Sequence, residues 1–163
     1  MKTIKVTFIS SRDTVQMECA QLVEQNPDIE LVSVPSRPTQ LGARMALSQS
    51  DVAVIDDDII RREGVETLHR LLACHPALKF LVIMENYNED RMLGAVLQGV
   101  RGVMLQLEVL QLLGKAIRHI NDGEVWMPRS LLKSLKNKLV SRQRGCHLSM
   151  DPAFSNNWWV RLH

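Results

Sequence analysis

Five short apolar runs punctuate the chain, and between them the apolar residues fall at helical spacing. Ile4 to Ile9, Ile29 to Val34, Val52 to Ile55, Leu78 to Met84 and Val103 to Leu105 read as strands. Val52 to Ile55 and Leu78 to Met84 are apolar at nearly every position, which suits strands covered on both faces, as in a parallel sheet. After each strand the period lengthens. Val15, Cys19, Leu22 and Val23 share a helical face from Asp13 until Asn26-Pro27-Asp28 breaks it, and Leu41 to Leu47 predicts a short helix. Val65, Leu68, Leu71 and Leu72 face one way in a helix from Gly64 to Cys74, stopped by His75-Pro76. Glu89 to Gln98 and Leu107 to Ile120 predict two more, closed by Gly99 and by Asn121-Asp122-Gly123. Strands opening at regular intervals with a helix between each pair call for an α/β fold. The expected architecture is a doubly wound, five-stranded parallel sheet with right-handed crossovers over residues 1–122.

After Gly123 the pattern changes. Residues 123–145 read as a linker and a basic helix, with Leu131, Leu132, Leu135 and Leu139 set against Lys133, Lys136, Lys138 and Arg142. No acid interrupts Arg129 to Arg144, a run that suits a solvated face or weak, sequence-independent contact with phosphates. Residues 146–163 carry no helical or strand period, yet include Phe154, Trp158 and Trp159.

Composition narrows the class. A chain of 163 residues with 45% apolar content can bury a core in one domain with an appendage, and a net charge of +2 indicates no polyanionic partner by itself. No apolar run nears the roughly 20 residues a bilayer requires. Met1 to Ile9 lacks a signal-peptide pattern, and Cys19, Cys74 and Cys146 form no C-x-x-C pair, so reduced thiols in a cytoplasmic protein are expected. His69, His75, His119 and His147 lack zinc-ligand spacing. No metal or cofactor is expected.

The candidate chemistry lies in Asp51 to Gly64, D-V-A-V-I-D-D-D-I-I-R-R-E-G. Ligands of open α/β sheets gather at the carboxyl ends of the strands, which places Asp56 at a site. Asp57 and Asp58 are expected to open a solvated loop. Asp56 and Asp58 as D-x-D also resemble the paired carboxylates of metal-dependent phosphotransfer and nuclease sites. Only Glu85 offers a further acid there, and neither G-x-x-x-x-G-K nor G-x-G-x-x-G is present, so an enzyme is not expected.

The order of D-V-A-V-I-D, Gly64 eight positions on, L-K-F-L-V-I, Q-G-V-R-G-V-M-L and G-E-V-W-M-P-R resembles response regulators of the NarL/FixJ (LuxR-type) family. The resemblance implies a receiver domain of flavodoxin-like fold followed by a linker helix. It implies Asp56 as the phosphoacceptor equivalent, two acids after strand one for Mg²⁺, a small hydroxyl residue after strand four and a lysine after strand five. Those positions hold Ser10, Ser11, Met84 and Gln106. Phosphoryl transfer rests on positioning and on neutralising charge, which these residues do not supply, so a pseudo-receiver is expected. With metal and lysine gone, Asp56 is expected to be exposed or held by backbone N–H groups, and Asp56→Asn to cost little.

In this family L-T-x-R-E opens the DNA-binding domain. Leu139 to Gln143 matches it in part, and the expected recognition helix does not follow, which suggests a truncation, a shifted frame or an unusual tail. Some degenerate receivers bind a cyclic dinucleotide through W-[FLM]-[ST]-R after helix five. Trp126 and Arg129 match that stretch, with Pro128 at the hydroxyl position, so a nucleotide sensor is the alternative to a module working by protein contacts. The helix predicted from Leu107 sets Leu107, Leu110, Leu113 and Ile117 toward the sheet. Val109, Leu112 and Ala116 then form an outer apolar face for a phosphorylation-independent homodimer.

Overall fold

A computed structural model of the chain describes residues 2–37 and 41–144. Strands β1 (Ile4–Ile9), β2 (Ile29–Ser33), β3 (Val52–Asp56), β4 (Lys79–Met84) and β5 (Gly102–Leu105) form one parallel sheet in the order β2-β1-β3-β4-β5. Helices α1 (Asp13–Gln25), α2 (Leu41–Ser48), α3 (Asp57–Glu63), α4 (Val65–Cys74), α5 (Glu89–Leu97), α6 (Val109–Asn121) and α7 (Arg129–Arg144) complete it, with a 3-10 turn, Gln106–Glu108, before α6. The expected doubly wound fold is the one that forms. One apolar layer joins Phe8, Val54 and Ile83 to Val15 and Cys19 of α1 and to Leu113 and Ile117 of α6. The other joins Ile55, Phe80 and Val82 to Leu47 of α2, Leu68 of α4, Met92 of α5 and Leu131 of α7. Both faces of β3 are therefore covered, and all five of its residues are buried. Among the described residues no helix is long and apolar enough to cross a membrane.

A helix stands where a solvated loop was expected. Asp56 caps α3, its Oδ1 accepting the N–H of Asp58 at 3.1 Å. Asp57 and Asp58 fill the first turn and Arg61 and Arg62 the last, an order that opposes the helix dipole at both ends. Arg61 and Arg62 reach back to Asp58 at 3.1 and 3.0 Å. Gly64 ends the helix at a φ of 92°, a backbone state open to glycine at little cost.

α6 is rotated from the sequence expectation. It starts at Val109 after the 3-10 turn, so Val109, Leu113, Ala116, Ile117 and Ile120 form the buried stripe. Val109 and Ala116, expected on the outer face, belong to the core. Leu107 and Leu110, expected inside, stand 77% and 58% exposed, and Leu112 is half-buried.

The linker covers the sheet edge. The Trp126 N–H donates to the Arg101 carbonyl at 3.0 Å, and the Val103 N–H donates to the Trp126 carbonyl at 2.9 Å. Gly102 leaves room beneath it, because a Cβ there would come within 2.5 Å of the terminal methyl of Ile120 and 2.7 Å of that of Leu81, both of which would have to shift. α7 then packs on α5, burying Leu131 and Leu135 in the core layer. Burial of each such leucine contributes about 1.5–3 kcal/mol. The remaining exposed face of α7 carries Arg129, Lys133 and Lys136. Cys146, His147 and the aromatic residues Phe154, Trp158 and Trp159 lie outside the described residues.

Candidate functional site

The sheet order reverses at β1, which brings the carboxyl ends of β1 and β3 together with Ile9 opposite Ile55. Such a switch point opens a crevice where loops from neighbouring strands diverge. Asp56 sits there, only 3% exposed. Ser10 Oγ donates to Asp56 Oδ2 at 3.0 Å, and Arg12 Nε donates to the same oxygen at 2.5 Å. Ser10 Oγ also accepts the Arg12 N–H at 3.1 Å, which fixes the loop that carries the guanidinium. The other side of Arg12 donates to Gln106 Oε1 at 2.9 Å, and Gln106 Nε2 donates to Glu18 Oε2 at 2.5 Å. A single polar chain thus links β3, the β1 loop, the end of β5 and α1.

Of the residues singled out in the sequence, Asp56, Ser10 and Gln106 are brought together, and Arg12 is what joins them. The expectation that Asp56 is exposed or held by backbone N–H groups alone is wrong. A buried carboxylate favours a charged donor, and Arg12 reaches it from two residues beyond Ser10. Glu18 is the second residue that sequence reasoning passed over. The signal was present: where the two acids of a metal site are absent, a cation close in sequence is the simplest replacement for the ion. Ser11 points elsewhere, its hydroxyl accepting from Arg62. Met84 is buried and lines a different cavity beside α5.

The acids next to Asp56 also have arginine partners. Asp57 is buried and pairs with Arg91 of α5, with Arg61 at 3.7 Å on its other oxygen. Burial pushes the Asp57 carboxyl up, against the pull of both arginines. Above them a pocket of about 130 Å³ is lined by Arg12, Asp56, Asp58, Glu85, Tyr87 and Arg91 among others. At the linker, the Trp126 ring lies 5.5 Å from His119 and packs against the core, while Arg129 is exposed at the start of α7. In the core beneath α1, burial pushes the Cys19 thiol up.

No protein-family model matches the chain. It is 25% identical over 150 residues to the DNA-binding transcriptional activator DevR/DosR of Mycobacterium tuberculosis, covering 91% of this chain and 67% of that protein. It is 26% identical over 142 residues to the transcriptional regulatory protein LiaR of Bacillus subtilis, covering 86% and 65%. The isolated receiver domain of RcsB from Salmonella enterica serovar Typhimurium in its apo form matches with a TM-score of 0.71 at 21% identity, over 82% of this chain and 99% of that one. A LuxR-family two-component response regulator from Aurantimonas gives a TM-score of 0.71 at 17% identity, over 85% and 99%. The chain has the receiver fold and is similar to response regulators of the NarL/FixJ type. It spans about two thirds of the length of these transcriptional relatives. Two protein-glutamate methylesterases also match, over only 20% of their own length.

Receivers of this type are expected to take Mg²⁺ beside the aspartate, and the residues here do not fit that ion. Mg²⁺ wants oxygen ligands with carboxylates among them. Ser10 and Ser11 bring no charge, and the Ser10 hydroxyl is already shared between Asp56 and the Arg12 N–H. A divalent cation approaching Asp56 Oδ2 would also meet the positive charge of Arg12 at the same oxygen.

Proposed function

We propose that this receiver is a phosphorylation-independent signalling module, a pseudo-receiver of a transcriptional regulator that works in the cytoplasm by protein contacts and pairing. The observation that carries this reading is the 2.5 Å contact between Arg12 Nε and Asp56 Oδ2. The carboxylate that would attack a phosphoryl donor is buried and paired with a cation that belongs to the chain itself. Beside it, Met84 and Gln106 provide neither the hydroxyl nor the ammonium that would receive phosphoryl oxygens.

Pairing is proposed through α6 and the turn before it, where Leu110 and Leu107 are exposed and Leu112 is half-buried; Met17 of α1, the helix that packs on α6, is exposed as well. One solved relative is described as two RcsB dimers bound to two parallel DNAs, so dimerisation exists on this fold. One self-complementary patch suffices for a two-fold pair.

Incubation with acetyl phosphate or beryllofluoride and Mg²⁺ tests the reading. The expected result is no mass change, no shift in the amide spectrum near Asp56 and no change in oligomeric state. An acyl phosphate on Asp56, seen by mass spectrometry and lost in Asp56→Asn, overturns it.

A further inference from the structure

Between the α3–α4 pair and α5 lies a second cavity of about 280 Å³, which shares only Asp57, Arg61 and Arg91 with the polar pocket over Asp56. Its walls are largely apolar, built from Ile60, Val65, Leu68, Ala95 and, at the end of β4, Met84. Gln98 also lines it. The Gln98 Oε1 is the one buried side-chain polar atom among the described residues that lacks a hydrogen-bond partner. A buried acceptor left bare is costly, and native structures seldom leave one without a donor.

Gly94 supplies an independent observation. It lies mid-helix in α5 and lines the cavity, and a Cβ built on it would meet nothing within 4 Å. Neither a positive φ nor close packing requires glycine there, and glycine inside a helix is destabilising relative to alanine. What the missing side chain leaves open is the cavity.

We propose that this cavity is a binding site for a small, flat, uncharged and mostly apolar molecule whose N–H or O–H donates to Gln98 Oε1. The volume lies near the lower limit of ligand pockets, roughly 300 Å³, which suits a molecule on the order of ten non-hydrogen atoms. The ring would lie in the space beside Gly94, against Leu68 and Met84. The rim favours a neutral ligand, because Arg91 is held by Asp57 and Arg61 by Asp57 and Asp58. Those arginines have no charge to spare for an anion.

The test is two-dimensional amide NMR of the whole chain, titrated with indole and with benzothiophene, a molecule of the same shape that lacks the N–H. Indole is expected to give saturable shifts at Gly64, Leu68, Gly94, Ala95 and the Gln98 side-chain amide. Benzothiophene is expected to bind about fivefold more weakly, the worth of one hydrogen bond. Gly94→Leu, which fills the space, should abolish indole binding, and the milder Gly94→Ala should weaken it if the larger side chain prevents folding. Gln98→Leu should erase the preference for indole. The proposal is overturned if indole gives no saturable shifts up to its solubility, or shifts other residues instead. Equal affinity for the two probes, or indole binding unchanged by the Gly94 substitutions, overturns it as well.

Discussion

Removing the carboxylate of Asp56 should destabilise the domain by far more than an isolated, vestigial acid would. Three bonds end on that side chain: the Asp58 N–H on Oδ1, and Ser10 Oγ and Arg12 Nε on Oδ2. Loss of a helix cap costs about 1 kcal/mol. Loss of a hydrogen bond to a charged partner costs about 1.5–3 kcal/mol when the partner is left behind. Arg12 keeps about a quarter of its side-chain surface exposed, 26%, so water can solvate it after the loss, and the lower half of that range applies. Asp56→Ala should therefore cost about 2–4 kcal/mol, a fall in Tm of roughly 5–15 °C for a chain of this size. Asp56→Asn keeps the cap and a neutral acceptor, and should cost about 1–2 kcal/mol. Urea melts followed by circular dichroism measure both. A cycle of Asp56→Asn with Arg12→Ala should return a coupling of about 1–2 kcal/mol. If Asp56→Asn lies within about 0.5 kcal/mol of the parent, or the coupling is zero, Arg12 is not the charge partner of Asp56 and the account of the site fails.

Three other perturbations probe separate parts of the fold. Leu131→Asp should release α7 from α5, raising amide exchange across 129–144 while the sheet stays protected; a helix that remains protected would mean that Leu131 does not hold it. Leu110→Glu should leave a folded monomer where the parent sediments as a dimer, and an intact dimer or a monomeric parent places the pairing surface elsewhere or nowhere. Arg118 donates to both oxygens of Asp28, at 2.7 and 2.6 Å, and holds that carboxyl below its usual 3.8. A lowered folded pKa contributes stability above that value and loses it as pH falls through the folded one. The deficit of Arg118→Ala, roughly 1 kcal/mol near neutrality, should thus shrink in urea melts run in strong acid to what packing and the Arg118 bond to Asn26 Oδ1 contribute, and a deficit unchanged there would mean that the Asp28 pair adds nothing.

The sheet was readable because its strands are buried on both sides and say so residue by residue. β3 and β4 contain almost no polar position before their ends, and their shortness and β-branched content separate them from a buried helix segment. α3 was read as a solvated loop, although a signal for it stands in the sequence. D-D-D-I-I-R-R-E-G has a capping acid, acids in the first turn, bases in the last and a glycine stop, yet it is too short for a hydrophobic period. The face of α6 was misassigned because a helix of leucines offers more than one apolar stripe. Only the 3-10 turn, which delays the start to Val109, selects the right one. Arg12 was missed because its pairing with Asp56 spans 44 positions, and the one local hint was its place two residues beyond Ser10, in the loop where the acids are absent.

The substitutions around Asp56 form one consistent set. Taking two acids from the end of β1 and a lysine from the end of β5 would alone leave a buried carboxylate short of positive charge. Arg12 supplies that charge from within the loop that lost the acids. Gln106, replacing a cation with a neutral amide, avoids repelling Arg12 and accepts a hydrogen bond from it. Glu18 then takes the other end of that amide. A receiver that switches does so because the partner of its aspartate changes between two states, and a ligand shifts a population only by binding one state better than the other. Here the partner is covalently part of the chain and already in place, so the site offers no exchangeable ion through which to shift. On the proposed reading signals act away from Asp56, and the cavity that Gly94 leaves open lies on α5, the same helix on which α7 docks through Leu131 and Leu135.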